Sequence, residues 1–251
     1  MIGILIIARL GSTRLANKHL IEVQGRTMLE WCVLRIKEQF KNELSQNKIK
    51  IIIATSKKSE NQKFLEFTNN LKIDLFFGDN TNIPLRQKEC ADFFNLKSII
   101  SVDGDDILCS TEAMRKVYNL LFVENYISTT GLPIGMNSSG YSVSLLSECL
   151  RNHQNLEVLE TGWGIIFKNV NKTIYHYENQ YEISESIRMT LDYEKDSDFF
   201  KSIINHLNED IISISDNQLL EIILSLNFHK INNHLDKEYW ENFNNQKSKL
   251  I

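Results

Sequence analysis

Ile2-Gly3-Ile4-Leu5-Ile6-Ile7-Ala8 is an unbroken apolar run, and Arg9-Leu10-Gly11-Ser12-Thr13-Arg14-Leu15-Ala16-Asn17-Lys18 follows it before any helical pattern begins. A run that is apolar at every position, not at alternate ones, is the pattern of a strand covered on both faces, as in a parallel sheet flanked by helices. No basic segment precedes the run and no small-residue cleavage site follows it, so it reads as a core strand and not as a secretory leader.

The same alternation continues along the chain. Thr27 and Glu30 have capping-box spacing, and Leu29, Cys32, Val33, Ile36 and Phe40 then recur at helical intervals. Further buried strands are expected at Ile49–Thr55, Ile73–Phe77 and Ser98–Asp103, with helices over Ser59–Asn70 and Leu85–Leu96 between them. Helix, strand and helix patterns over Thr111–Glu124, Tyr126–Thr130 and Ser142–Arg151 extend the series. Beyond these, Gly162–Phe167, Thr173–Tyr177 and Ile187–Asp192 read as strands, and Ser197–Leu207 and Asn217–Leu226 as helices, before a polar tail rich in Asn and Lys. Alternating strands and helices predict an α/β fold: right-handed crossovers and a mostly parallel central sheet between two helical layers. In such sheets ligands bind beyond the carboxyl ends of the strands.

Composition narrows the classes of function. The chain has 251 residues, with 28 Lys+Arg against 32 Asp+Glu, and a formal charge of −4 argues against a nucleic-acid partner, whose phosphates need a basic face. No stretch approaches the roughly 20 apolar residues that cross a bilayer, so no membrane insertion is expected. Cys32, Cys90, Cys109 and Cys149 are scattered without zinc-ligand spacing, as reduced core thiols of a cytoplasmic protein would be.

Three segments carry chemistry. The connection from Ala8 to about Thr27 is far longer than an ordinary strand-to-helix loop, which marks it as functional. Arg9, Arg14 and Lys18 supply three positive charges, Ser12 and Thr13 hydroxyl donors, and Gly11 room for close backbone approach. Guanidinium forks, amides and an ammonium suit a polyphosphate, although a solvated basic loop would carry the same charges. The loop is neither a P-loop nor a Gly-x-Gly-x-x-Gly turn. Val102-Asp103-Gly104-Asp105-Asp106 places three carboxylates at the end of a strand; they call for a hard cation such as Mg²⁺, unless they form only an acidic turn or helix cap. Asp192 closes the third segment, and it would face Asp105 if its strand lay beside Ser98–Asp103 in the sheet. Trp163, between Gly162 and Gly164, is either a ring exposed to a ligand or a core aromatic, and His19 is notable only for following Lys18.

Taken together, Ile6–Lys18, Val102–Asp106 and Met189–Asp192 resemble the cytidylyltransferase family, and are most similar to its SpsF-like spore coat polysaccharide branch. The resemblance spans roughly Met1 to Leu207 in order and spacing. It implies a three-layer Rossmann-like nucleotidyltransferase fold, GT-A-like, as a cytidylyltransferase-like nucleotide-binding domain over residues 1–212 with a helical extension over 213–251. It further implies transfer of CMP from CTP to an acidic sugar or related acceptor, with release of pyrophosphate. Arg9, Ser12, Arg14 and Lys18 would hold the CTP phosphates, with Ala8, Gly11 and Thr13 beside them; Asp103 and Arg86 would complete the nucleotide site. Lys18, Arg14 and Asp105 would be catalytic, Asp105 and Asp192 would bind Mg²⁺ (or Mn²⁺), and a homodimer is possible. Two departures stand out. Ala16-Asn17 replaces the family's Pro-Gly, which Asn can tolerate because it enters the left-handed region readily. Gly135–Gly140, expected near the acceptor, lacks the acidic residues usual in SpsF-like relatives. Two alternatives remain open from the residues themselves: a metal-dependent GT-A-type glycosyltransferase using Asp103-Gly104-Asp105 with a nucleotide sugar, and a non-catalytic nucleotide-binding homologue.

Overall fold

The computed structural model describes residues 1–153, 158–178 and 187–247. The opening run is strand β1 (Ile2–Ile7), buried at every position as its continuous apolar pattern requires. Two short strands, β2 (Glu22–Val23) and β3 (Arg26–Thr27), form a separate ribbon in the long connection after it. The central sheet adds β4 (Ile49–Ser56), β5 (Asp74–Gly78), β6 (Ser98–Asp103), β7 (Tyr126–Thr130), β8 (Ser139–Ser142) and β9 (Thr173–His176). Its order is β5-β4-β1-β6-β8-β7-β9. β8 runs antiparallel to both β6 and β7, and the other described strands of this sheet share one direction.

Helices cover both faces. α1 (Met28–Gln39), α3 (Phe64–Leu71) and α5 (Thr111–Leu120) pack on one side, where Leu29, Val33 and Phe64 meet Ile4 and Ile6. A short helix, α2 (Lys41–Ser45), follows α1. On the other side α4 (Ile83–Phe93) and α6 (Val143–Asn152) bring Ala91 and Leu146 against Leu5 and Ile7. The expected capping box holds: Glu30 N donates to Thr27 Oγ1 at 3.2 Å and Thr27 N to Glu30 Oε2 at 2.9 Å. The C-terminal helices are α7 (Glu194–Leu207), α8 (Asp216–Ser225) and α9 (Asp236–Lys247). Phe200 and Ile203 of α7, Leu220 and Ile223 of α8 and Trp31 of α1 share a third apolar cluster, so residues on both sides of position 212 pack into one core.

Three readings need correction. Trp163–Phe167 is a 3₁₀ turn, entered through Gly162 at φ 66°, because a left-handed residue breaks an extended run at its start. Ile187–Asp192 is extended but is no strand of the central sheet. It is held by the bridge between Ile134 and Arg188, by Met189 N donating to Ile134 O at 2.9 Å and by Leu191 N donating to Asp105 O at 2.8 Å. Finally, β8 is a strand that the pattern did not announce, since Ser139-Gly140-Tyr141-Ser142 offers a single large apolar side chain.

Gly140 makes room for α5 on β8. A Cβ there would lie 2.6 Å from Val117 Cγ1 and 2.9 Å from Ile99 O, and neither the packed valine nor the backbone can yield freely. We expect Gly140→Ala to lower stability by about 1–3 kcal/mol through overpacking, measured by denaturant unfolding. A variant as stable as the parent would show that β8 has slack against α5.

Candidate active site

The segment after β1 is pinned before it can bind anything. Leu10 N donates to Asn61 Oδ1 at 2.9 Å, and Asn61 Nδ2 donates back to Ser56 O at 3.1 Å at the end of β4. Leu15 N donates to Ser12 Oγ at 3.3 Å. Asn17 then adopts φ 52°, the left-handed conformation its side chain tolerates, and opens the 3₁₀ turn Lys18–Leu20. That reversal buries Lys18 and His19.

A buried ammonium needs carboxylates, and two meet it. Lys18 Nζ lies 2.7 Å from Asp105 Oδ2 and 2.9 Å from Asp192 Oδ1. Arg14 Nη2 reaches the same Asp192 oxygen at 2.6 Å, and His19 Nε2 lies 2.9 Å from Asp105 Oδ1. Burial works against the charge on Lys18, but Asp105 and Asp192 outweigh it and raise its pKa. Burial likewise opposes ionisation of Asp105, yet Lys18 and His19 prevail and hold that carboxyl below the usual range. In its neighbours the favourable partners, Lys18 for Asp103 and Thr190 for Asp106, are outweighed. Asp103 opens onto solvent in the cleft but has protein on its other sides; burial and the Asp105 charge push it up to about 6. Burial and Asp103 raise Asp106 well above the ordinary carboxylate value.

Gly104 explains how these aspartates come so close to β1. Its N–H donates to Ile7 O at 2.8 Å, and a Cβ would stand 2.8 Å from both Ala8 Cβ and that carbonyl oxygen. Asp192 is fixed from behind. The wholly buried Arg188 donates from Nε to Asp196 Oδ1 at 3.0 Å and lies 3.4 Å from Asp192 Oδ2. Asp196 Oδ2 accepts the N–H groups of Asp192 (2.9 Å) and Tyr193 (3.0 Å) at the start of α7. Asn232 Nδ2 bonds both Arg188 O and Asp196 Oδ1, and the Tyr239 ring lies 4.3 Å from the Arg188 guanidinium.

One cavity of about 560 Å³ gathers every residue expected at the site: Ala8, Arg9, Gly11, Ser12, Thr13, Arg14, Lys18, Arg86, Asp103, Asp105 and Asp192. Two of the cations are committed locally. Arg9 pairs with Glu160, and Arg86 donates from Nε to Asp79 O at 2.8 Å and so braces the turn after β5. Trp163 satisfies both of its readings: it lines the cavity while its ring packs edge-on to Tyr141 and Phe167. Sequence reasoning missed Glu160, Arg188, Asp196 and the α9 residues Tyr239, Trp240 and Phe243, which also line or brace the cleft. The aromatic cluster in an otherwise polar tail was the available signal for α9; Glu160 had none.

Among the described residues no group of three or more His, Cys, Asp and Glu side chains forms a complete metal cage. Asp105 and Asp192 instead converge on a common cation, here the lysine ammonium. Two convergent carboxylates fit Mg²⁺, which takes one or two from protein and the rest from water and phosphate.

A sequence model described as cytidylyltransferase matches residues 3–234. The chain belongs to the cytidylyltransferase family. An uncharacterised protein of Methanocaldococcus jannaschii, MJ1063, is 29% identical over 227 residues, covering 89% of this chain and 90% of the relative. A cytidylyltransferase from Leptospira borgpetersenii has the same fold, with a TM-score of 0.75 at 21% identity over 91% of this chain and 95% of its own. A CMP:2-keto-3-deoxy-manno-octonic acid synthetase complexed with CTP aligns at a TM-score of 0.56 and 11% identity, over 81% and 98%. This cytidylyltransferase is therefore a CTP-dependent enzyme, which sets aside the nucleotide-sugar glycosyltransferase reading of Asp103-Gly104-Asp105.

Removing Arg188 would leave Asp196 buried with only neutral partners. We expect Arg188→Met to cost about 3–5 kcal/mol in equilibrium unfolding, the scale for orphaning one member of a buried ion pair. A loss below about 1 kcal/mol would mean that Asn232 and the backbone N–H groups hold Asp196 unaided.

Proposed function

We propose that this cytidylyltransferase transfers CMP from CTP to an oxygen of an acidic sugar, or of a related polyol or phosphorylated small molecule, in surface polysaccharide or glycoconjugate biosynthesis. The SpsF-like branch, a cytoplasmic location and a homodimer belong to the same reading. The observation that carries it is the meeting of Lys18 and Arg14 with Asp105 and Asp192 inside the 560 Å³ cavity.

In this reading the phosphates of CTP lie along the segment after β1, with Arg9, Ser12, Thr13 and the backbone of Ala8 and Gly11 around them and Arg86 behind. The acceptor oxygen attacks the α-phosphorus in line, and the bond to the β-phosphate oxygen breaks so that pyrophosphate leaves. Phosphoryl transfer depends chiefly on positioning and charge neutralisation. Lys18 and Arg14 supply both, neutralising the charge that grows on the α-phosphate oxygens and on the departing pyrophosphate. Each leaves its carboxylate partner to do so, and the freed Asp105 and Asp192 are then available to Mg²⁺ (or Mn²⁺). When bound, that ion contributes further neutralisation of the phosphate oxygens.

Pyrophosphate release should be followed with CTP, UTP, ATP and GTP against a panel of sugar acids, polyols and their phosphates, with and without Mg²⁺. We expect turnover with CTP and Mg²⁺ alone. Lys18→Ala and Asp105→Ala should each lower kcat by roughly 10²-fold or more while circular dichroism stays that of the parent. Undiminished pyrophosphate release by either variant contradicts the assignment, and nucleotide binding without turnover on any acceptor favours a non-catalytic homologue.

A further inference from the structure

Beside the main cleft lies a second cavity of about 180 Å³, well above the roughly 10–15 Å³ that one water needs. It shares Asp103, Asp106 and Trp163 with the cleft, so whatever enters it reaches the same reaction centre. Its floor is a feature of the sheet. Ser101 of β6 pairs in register with Ser139 of β8, which pairs with Ser128 of β7, giving three serines side by side across three strands. Two residues back on the same face, the corresponding row is Ile99, Tyr141 and Tyr126, so the sheet turns from apolar to hydroxyl-bearing just where it meets the cleft.

These hydroxyls are unevenly used. Ser101 Oγ accepts from Gln87 Nε2 at 2.9 Å, and Thr129 Oγ1 accepts from Ser138 N at 2.8 Å. Ser138, only 6% exposed, has no hydrogen-bond partner for its Oγ. That oxygen is closed off from solvent, and the lining serines open to a ligand are the half-buried Ser128 and Ser139. The charge is one-sided: among the described lining residues there are two carboxyl groups, Asp103 and Asp106, and no lysine, arginine or histidine.

We infer that this side cavity receives an uncharged, polyhydroxylated end of the acceptor, so that the substrate is a neutral polyol chain and not a sugar acid presenting its carboxylate there. The inference rests on the cytidylyl-transfer reading and narrows its acceptor. Hydroxyl groups can donate to Asp103 and Asp106 and accept from the serines. A carboxylate in the same place would face two more carboxyl groups with no cation, while Arg14 and Lys18 are committed to the phosphates.

The test uses the full chain loaded with a CTP analogue carrying a methylene bridge between the α- and β-phosphates, and xylitol and xylonate as probes that differ by one carboxylate. Ligand-observed NMR titrations give both affinities. We expect xylitol to bind roughly tenfold or more tightly than xylonate, as a site built for hydroxyls discriminates. Ser139→Ala, which removes one oxygen of the serine row and adds no bulk, should weaken xylitol severalfold and leave the CTP analogue unchanged. Equal or tighter binding of xylonate, no saturable xylitol binding, or unchanged xylitol affinity in Ser139→Ala overturns the inference and leaves cytidylyl transfer standing. Failure of the CTP analogue itself to bind overturns the reading beneath it.

Discussion

The ammonium of Lys18, buried between Asp105 and Asp192, is the constraint around which the cleft is arranged. A charge removed from water must be paired, and the partners here lie 87 (Asp105) and 174 (Asp192) residues further along the chain. Several local oddities follow from that demand. Asn17 turns left-handed so that Lys18 enters the protein. Gly104 gives up a side chain so that the strand β6 terminus can lie against Ile7 and Ala8. Asp196 caps α7 and grips Arg188 so that Asp192 cannot drift. Each of these is a cost in conformational freedom or desolvation, and each is explained by the pair of aspartates it positions.

The cleft has two kinds of wall. The wall built from the segment after β1 and from the β6 terminus is cationic and acidic in close alternation, suited to a triphosphate with its counter-ion. The other wall, made by β7, β8 and the 3₁₀ turn at Trp163, is rich in hydroxyls and bears no positive charge among its described residues. α9 adds Tyr239, Trp240 and Phe243 to the cleft from beyond residue 234, where the family match ends. The stretch of chain outside that match thus supplies part of the lining, and Tyr239 stacks on Arg188, which braces Asp192.

What the sequence made legible was what depends on local pattern. The continuous apolar run of β1, the capping box at Thr27 and the strand–helix alternation led directly to a mostly parallel sheet, and the charged segment after β1 pointed to the cleft. The convergence of Asp105 and Asp192 was correct in outcome but not in route. Asp192 does not stand at the end of a sheet strand; two backbone hydrogen bonds, to Ile134 and Asp105, hold its segment in place. Such pairing leaves no periodic mark. Arg188 and Asp196 were invisible for a related reason: a buried arginine reads like a surface one until its partner is known. β8 escaped because Ser139 and Ser142 carry hydroxyls where strand patterns carry apolar groups, and Ser139, which helped conceal the strand, is part of the floor of the side cavity.

The central claim is that a magnesium–triphosphate complex takes over the ion pairs now made within the protein. The most direct measurement is a crystal structure with CTP and Mn²⁺, located by its anomalous scattering. The account predicts a single manganese bound by Asp105 and Asp192, with Lys18 Nζ moved from between the aspartates onto phosphate oxygens. Manganese held elsewhere, with Lys18 still bridging the two carboxylates and the triphosphate bound away from the segment after β1, would contradict it.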